Sequence, residues 1–173
     1  MLSPVQIQKR LSAADGFLQL RMPAEALQEL APVWDEEALR SLKPLTHLRG
    51  RAFIDLERYE EGRDQFRSIL EHDPNDIEAA VNKGWCEKRL DMLPAAIRTM
   101  ERAVRLHPDV ALLQYNLACY HALAVDKDRC LTRLGVAIRL DRSFVEMIDD
   151  ESDFDPLRQD ADFNTLVQMA TTA

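Results

Sequence analysis

The sequence contains little of what marks secreted, membrane or flexible proteins. Among its 173 residues are only three cysteines, five glycines and eight prolines, and 6% of the residues are aromatic. Cys86, Cys119 and Cys130 are odd in number and lack a CxxC spacing, which indicates reduced thiols rather than a disulfide framework. No signal-peptide pattern and no apolar run of about 18 residues occurs, so we expect a cytoplasmic protein without membrane insertion.

Motifs of catalysis and metal binding are also missing. There is no P-loop, no GxSxG elbow, no GxGxxG after a strand and no HExxH. The acidic run after Asp149 lacks the glycine and the terminal glutamate of a calcium loop. Cys86, Cys119 and His121 offer three zinc ligands where a structural site takes four. We therefore predict no enzyme activity, no cofactor and no metal site, with a small zinc enzyme as the remote alternative.

Negative charge is the next feature. The formal net charge is -8, and residues 141–173 hold nine acidic residues against two arginines. Nucleic acids and anionic membranes attract basic surfaces, so this charge argues against both as partners. Ala, Leu, Glu and Arg are abundant, which favours helices over strands.

A period of 34 residues organises the middle of the chain. Aligned segments begin at Gly50, Gly84 and Ala118, and a small residue lies 12 positions into each, at Gly62, Ala96 and Cys130. Each segment has the pattern of a helix, a short turn and a second helix. A weaker copy at residues 13–33 precedes the next by 36 positions, and its Pro32 is expected to shorten the second helix.

This pattern resembles the tetratricopeptide repeat, in which antiparallel helix pairs repeat every 34 residues and stack side by side. The resemblance implies an all-α, right-handed α-solenoid of about four helix hairpins within a repeat domain of residues 1–144. A helical acidic cap is expected over residues 145–173, because a terminal repeat needs a polar covering. The four repeats are expected at residues 7–42, 43–76, 77–110 and 111–144.

Two further patterns predict packing. In the tail, two apolar stripes at helical spacing are expected to face the core: Phe144, Met147 and Ile148, then Phe163, Leu166, Val167 and Met169. One position of the repeat is aromatic in the first two copies, where it is Phe17 and Phe53. The same position is Glu87 in the third copy and His121 in the fourth. Two polar residues in neighbouring core slots predict a hydrogen-bonded pair, with a raised His pKa if the ring is charged.

First helices of such repeats line a concave groove, so the resemblance also implies a binding surface. Its amides, aromatic rings and cations suit the backbone, side chains and carboxylates of a peptide. The alternative is that Trp85 only packs between helices and that the cations form a solvated face. The predicted partner-binding residues are His47, Arg51, Asn82, Trp85, Lys88, Arg89, Tyr115 and Asn116.

These features predict a noncatalytic adaptor or scaffold that binds a peptide or helix of a protein partner. The alternative is a dedicated chaperone for a secreted or unstable client. The two-carboxylate clamp that some family members use for chaperone tails is not carried over, since Arg51 and Leu112 replace its Asn and Lys. Self-association through exposed terminal helices or through the groove is left open.

Overall fold

The computed structural model describes residues 1–172, and all regular secondary structure in this range is helical. The chain forms two compact units, residues 1–92 and residues 93–173. The predicted boundary between a repeat domain and a cap at residue 144 remains a prediction. None of the helices within residues 1–172 is both long and apolar enough to cross a membrane. The α-helices are α1 (Pro4–Gln19), α2 (Pro23–Trp34), α3 (Lys43–Asp55), α4 (Tyr59–His72), α5 (Ile77–Arg89), α6 (Leu93–Leu106), α7 (Ala111–Leu123), α8 (Lys127–Leu140), α9 (Phe144–Met147) and α10 (Ala161–Thr172).

The predicted all-α class is confirmed, and the period is visible in how the first helices end. Arg21, Glu57, Asp91 and Val125 follow α1, α3, α5 and α7, and each has a positive φ, between 57° and 59°. In each repeat, the residue after the one with positive φ donates its N–H to the carbonyl five positions earlier. For example, the Asp126 N–H donates to the His121 carbonyl at 2.9 Å. This bond and a left-handed residue together form a Schellman cap. Each first helix therefore stops at the same place in its repeat.

Val125 is the most strained of these four residues, because a β-branched side chain rarely adopts a left-handed conformation. Its side chain is exposed, so little packing is lost when it is removed. We expect Val125→Gly to raise the free energy of unfolding by about 0.5–1 kcal/mol, since glycine adopts this φ without steric strain. Urea denaturation would measure the change. Asp91→Gly is the control, because aspartate tolerates this conformation; an equal gain there would contradict the argument.

Helix starts follow the sequence signals. Ser3 and Gln6 form a capping box before α1, while Asp76 and Asp126 cap α5 and α8 through the N–H groups of their third residues. The expected effect of Pro32 is only partly correct, because α2 continues to Trp34 with this proline inside it. A proline removes one helical hydrogen bond, and within the last turn that loss does not end the helix.

Small residues permit close helix contact between α3 and α4. A Cβ built on Gly62 would lie 3.4 Å from the carbonyl oxygen of Gly50 and 3.3 Å from the Cys86 sulfur. Gly62 therefore occupies a close approach, as its slot predicts. The equivalent residues Ala96 and Cys130 are fully buried.

The two polar residues in the aromatic slot are both buried. Lys83 Nζ lies 2.5 Å from Glu87 Oε1, one turn away on α5, so this carboxylate has a cationic partner on its own helix. Burial lowers the pKa of His121, opposite to the rise expected for a charged pair. A hydrogen bond between Glu87 and His121 remains a prediction.

The C-terminal segment packs through aromatic rings. The centroid of the Tyr115 ring on α7 lies 4.7 Å from that of Phe144 and 5.7 Å from that of Phe154. The ring centroids of Phe154 and Phe163 are 5.4 Å apart. The predicted tail stripes are wrong at Met147 and Met169, which are exposed. Phe154 is fully buried instead, and it lies in a 3-10 helix at Ser152–Leu157 that belongs to neither predicted stripe.

Candidate functional site

A cleft of about 400 Å³ opens on the first helices of residues 1–92. Side chains of α1, α3 and α5 line it, together with Arg21 from the turn after α1. We call it the first-helix cleft. Its lining combines two apolar residues with amides and charged groups, a composition that suits a peptide better than a purely apolar ligand. The lining residues are Leu18, Gln19, Arg21, Arg51, Ile54, Asp55 and Asn82.

Two ion pairs lie at this cleft. Arg51 Nη1 is 2.9 Å from Asp15 Oδ1, and Arg21 Nη1 is 3.8 Å from Asp55 Oδ1. The side chains of Arg51 and Asp15 are 40% and 39% exposed, so water screens their attraction and the pair contributes little to stability. Such pairs can exchange partners with an incoming ligand at small cost.

Asn82 is the amide of the cleft that is not engaged elsewhere. It lies on α5, is half-buried, and makes no hydrogen bond to a side chain or backbone group within residues 1–172 beyond its own helix. Gln19, in contrast, donates to Asp15 Oδ2 at 2.8 Å. A carboxamide carries both donors and an acceptor, so Asn82 can pair with both polar groups of one peptide unit.

Trp85 and Arg89 lie on α5 but not among the residues that line the cleft. The Trp85 ring meets Tyr59 edge-on, with centroids 5.4 Å apart. The Arg89 guanidinium lies 5.1 Å from the Tyr59 ring centre and 5.6 Å from that of Trp85. This cluster joins α5 to the start of α4, so packing accounts for part of what the sequence assigned to ligand binding. Lys88 is half-buried on the same helix.

His47 belongs to a different cluster at the start of α5. Its Nε2 lies 3.0 Å from Asp76 Oδ2, and its ring packs edge-on near Phe66. Its side chain is 14% exposed. His47 therefore helps to fix the helix start that Asp76 caps, and it does not line the cleft.

The last two predicted residues lie in the other unit. The Tyr115 side chain is 2% exposed because Phe144 and Phe154 cover it, so a ligand at the surface would not reach its ring. Asn116 is half-buried on α7. Of the eight predicted residues, Arg51 and Asn82 line the first-helix cleft, and a single groove shared by all eight remains a prediction.

Sequence reasoning missed the contribution of α1. The predicted partner-binding residues come only from the second, third and fourth repeats, and the first copy precedes the second by 36 positions. Subtracting 36 from Arg51 gives Asp15, and the same step takes Ile54 to Leu18 and Asp55 to Gln19. The structure brings all of these to the cleft or to its ion pairs. The period itself was the signal that could have found them.

Comparisons with known proteins give the fold a wider context. No family model and no curated protein matches the sequence. Among solved structures, the chain is similar to MamA 41-end from Desulfovibrio magneticus RS-1, with 19% identity over 96% of each chain and a TM-score of 0.72. It is also similar to YrrB, described as a TPR protein with an unusual peptide-binding site, with 14% identity, coverage of 95% and 91%, and a TM-score of 0.66.

A third similar structure is TTC0263, a thermophilic TPR protein in Thermus thermophilus. It shares 15% identity over 96% of this chain and 99% of that chain, with a TM-score of 0.64. At such identities the likeness establishes the fold and not the activity. The chain therefore has the fold of tetratricopeptide-repeat proteins, as its 34-residue period predicts.

Proposed function

We propose that this protein is a noncatalytic protein-interaction module that binds an extended peptide segment of a partner in the first-helix cleft. The observation that carries the proposal is the cleft of about 400 Å³ itself. It combines the side-chain amide of Asn82, ion pairs that are partly exposed to water, and two apolar side chains. The fold it shares with YrrB, whose structure is described by its peptide-binding site, supports the same class of function.

Each group has a role in this proposal. Asn82 pairs with a peptide N–H and carbonyl, which fixes the direction of the bound backbone. Arg51 leaves Asp15 and pairs with a carboxylate of the partner. Leu18 and Ile54 cover one apolar side chain. Exposed charges of this kind govern association rate and specificity more than affinity, so binding should weaken as salt is added.

The cellular role we favour is an adaptor or scaffold in the cytoplasm. Cys86, Cys119 and Cys130 are buried and form no disulfide with one another, which fits a reducing compartment. The net charge of -8 is consistent with a protein partner rather than nucleic acid. A dedicated chaperone is the alternative, and it would be recognised by a client that aggregates when this protein is withdrawn.

A peptide screen tests the binding proposal. The purified full chain is applied to an array of random peptides, and affinities of the peptides retained are measured by fluorescence anisotropy. We expect Asn82→Ala and Arg51→Gln each to weaken binding about tenfold or more, because each removes a group that meets the peptide. Arg67→Gln on α4 removes the same charge away from the cleft and should leave binding unchanged.

Two outcomes would overturn the proposal. One is that no peptide binds to the wild-type protein at micromolar concentration. The other is that bound peptides are equally sensitive to Arg67→Gln and to the two cleft variants. Thermal melts of all variants would verify that each remains folded.

A further inference from the structure

A cluster of potential metal ligands lies within residues 93–173. Cys119 on α7 faces Glu151 and Asp153, which flank the start of the 3-10 helix Ser152–Leu157. The Cys119 sulfur and one carboxylate oxygen from each acid all lie within 4.8 Å of one another. Cys119 and Asp153 are 2% and 8% exposed and Glu151 is half-buried, so the cluster lies at the edge of the core. A bound cation would lower the cost of holding two carboxylates this close together.

Tyr115 supplies an independent observation at the same place. It lies one helical turn before Cys119, is 2% exposed, and its hydroxyl has no hydrogen-bond partner within residues 1–172. Its ring packs against Phe154, which follows Asp153 in the 3-10 helix. A buried hydroxyl without a protein partner points to a hydrogen-bonding ligand at this place.

Arg158 is a cation near the cluster, and its hydrogen bonds and ion pairs are made with other groups. Its Nη2 donates to the backbone carbonyls of Ile148, Asp149 and Glu151 at 2.7–3.1 Å. Its ion pairs are with the carboxylates of Asp149 and Asp155, at 3.6 and 3.5 Å. Arg158 thus stabilises the turn before the 3-10 helix through backbone carbonyls and through carboxylates outside the cluster.

We propose that Cys119, Glu151 and Asp153 bind a divalent transition-metal ion, with Zn²⁺ as the preferred ion. A thiolate selects such a metal over Mg²⁺ or Ca²⁺, which favour oxygen ligands alone. Zinc bonds of about 2.0–2.3 Å would draw the ligand atoms to about 3.5 Å apart, a movement of at most about 0.7 Å per side chain. A water completes the tetrahedron, and the Tyr115 hydroxyl hydrogen-bonds to that water. The thiol proton passes to solvent on binding.

Three protein ligands and a water form the open arrangement of zinc sites rather than the closed one of purely structural sites, and the ion would also add stability. It would join α7 to the segment that carries Phe154, where Tyr115 already packs. The sequence gives no warning of this site, because Cys119 and the acids are more than 30 residues apart and fit no ligand spacing. The inference revises the expectation of no metal centre, and it does not depend on peptide binding.

Cobalt titration of the metal-free full-length protein tests the site. We expect one equivalent of Co²⁺ to produce a thiolate-to-cobalt charge-transfer band in the near ultraviolet, and added Zn²⁺ to abolish that band. Cys119→Ser should remove the band. Cys130→Ser is the matched control, since Cys130 is fully buried in the same unit, and it should retain the band. Glu151→Gln should weaken Co²⁺ binding about tenfold or more, and it preserves the thiol if Cys119→Ser does not fold.

The proposal is overturned if wild-type protein gives no charge-transfer band. It is also overturned if the band persists in Cys119→Ser, if it is lost in a folded Cys130→Ser, or if Glu151→Gln binds Co²⁺ as tightly as wild type. Circular dichroism would report folding. A rise of the melting temperature with Zn²⁺ that is absent in Glu151→Gln would support the structural role.

Discussion

Replacing Asp76 by alanine should lower the free energy of unfolding by about 2–4 kcal/mol, because one carboxylate serves three neighbours. Asp76 accepts the N–H of Ala79 at 2.8 Å and so caps α5. Its other oxygen lies 2.6 Å from Lys43 Nζ and 3.0 Å from His47 Nε2. The Asp76 side chain is 7% exposed, so water replaces few of these bonds after the substitution. Urea denaturation would measure the loss.

Asp126→Ala is the matched control for this result. Asp126 caps α8 through the N–H of Arg129 at 3.3 Å, and its side chain is 35% exposed. Removing it should cost about 0.5–1 kcal/mol, the usual value of a cap alone. If both variants lose the same stability, the contacts of Asp76 with Lys43 and His47 contribute nothing and the larger value is wrong.

The contacts of Asp76 with Lys43 and His47 should also make the stability of the protein sensitive to acid. Burial alone would raise the pKa of Asp76, but hydrogen bonds from Lys43, the Ala79 N–H and His47 together lower it from 3.8 to about 2. A depressed folded-state pKa contributes stability that is present above pH 3.8 and lost as the pH falls toward 2. Asp76→Asn should therefore remove part of the acid sensitivity. Melting temperatures of wild type and Asp76→Asn at about pH 6 and about pH 3 would reveal the difference.

Gly50→Ala should destabilise the protein by about 1–3 kcal/mol. A Cβ at this position would lie 2.5, 2.8 and 2.9 Å from three ring carbons of Phe66, well inside van der Waals contact. The ring is fully buried and packs near His47, so it cannot swing into solvent. Alanine gains up to about 1 kcal/mol of helix propensity over glycine, which offsets only part of this strain.

Gly135→Ala on α8 separates the gain in helix propensity from the steric strain. A Cβ there meets nothing within 4 Å, so this variant should gain stability where Gly50→Ala loses it. Phe66→Leu provides the second arm, because it removes the ring that the new methyl would meet. The loss in the double variant should be smaller than the sum of the single losses. Additive losses would show that Phe66 is not what makes Gly50 necessary.

The sequence was sufficient to predict the repeat, because its signals are local. Small residues at Gly62, Ala96 and Cys130 and the 34-residue spacing of apolar positions reflect helix packing that every hairpin must repeat. The turns at Glu57, Asp91 and Val125 fall at that same period, and Arg21 precedes Glu57 by the 36 positions of the first copy. Each unit imposes the same constraints on its own stretch of chain, so a pattern within one stretch is enough to find it.

The candidate site was predicted only in part. A side chain that packs against another part of the protein is no longer exposed to bind a ligand, and the sequence does not reveal which side chains these are. Arg51 and Asn82 line the first-helix cleft, whereas Trp85 packs on Tyr59 and His47 binds Asp76. All four have the residue types and spacing of a ligand-binding face. Periodicity places a side chain on one side of a helix, but it does not reveal whether a neighbouring helix already occupies that side.

What the sequence by itself determined about this protein is its class and its repeat: all helical, hairpins of 34 residues, and no recognisable catalytic motif. Only the tertiary structure decided that Asp15 pairs with Arg51, that Phe154 covers Tyr115, and that Cys119 meets Glu151 and Asp153. The physical reason is the range of the interactions. Helix and turn preferences depend on residues a few positions apart, whereas these contacts join residues more than 30 positions apart, and the folded backbone alone determines which of them meet.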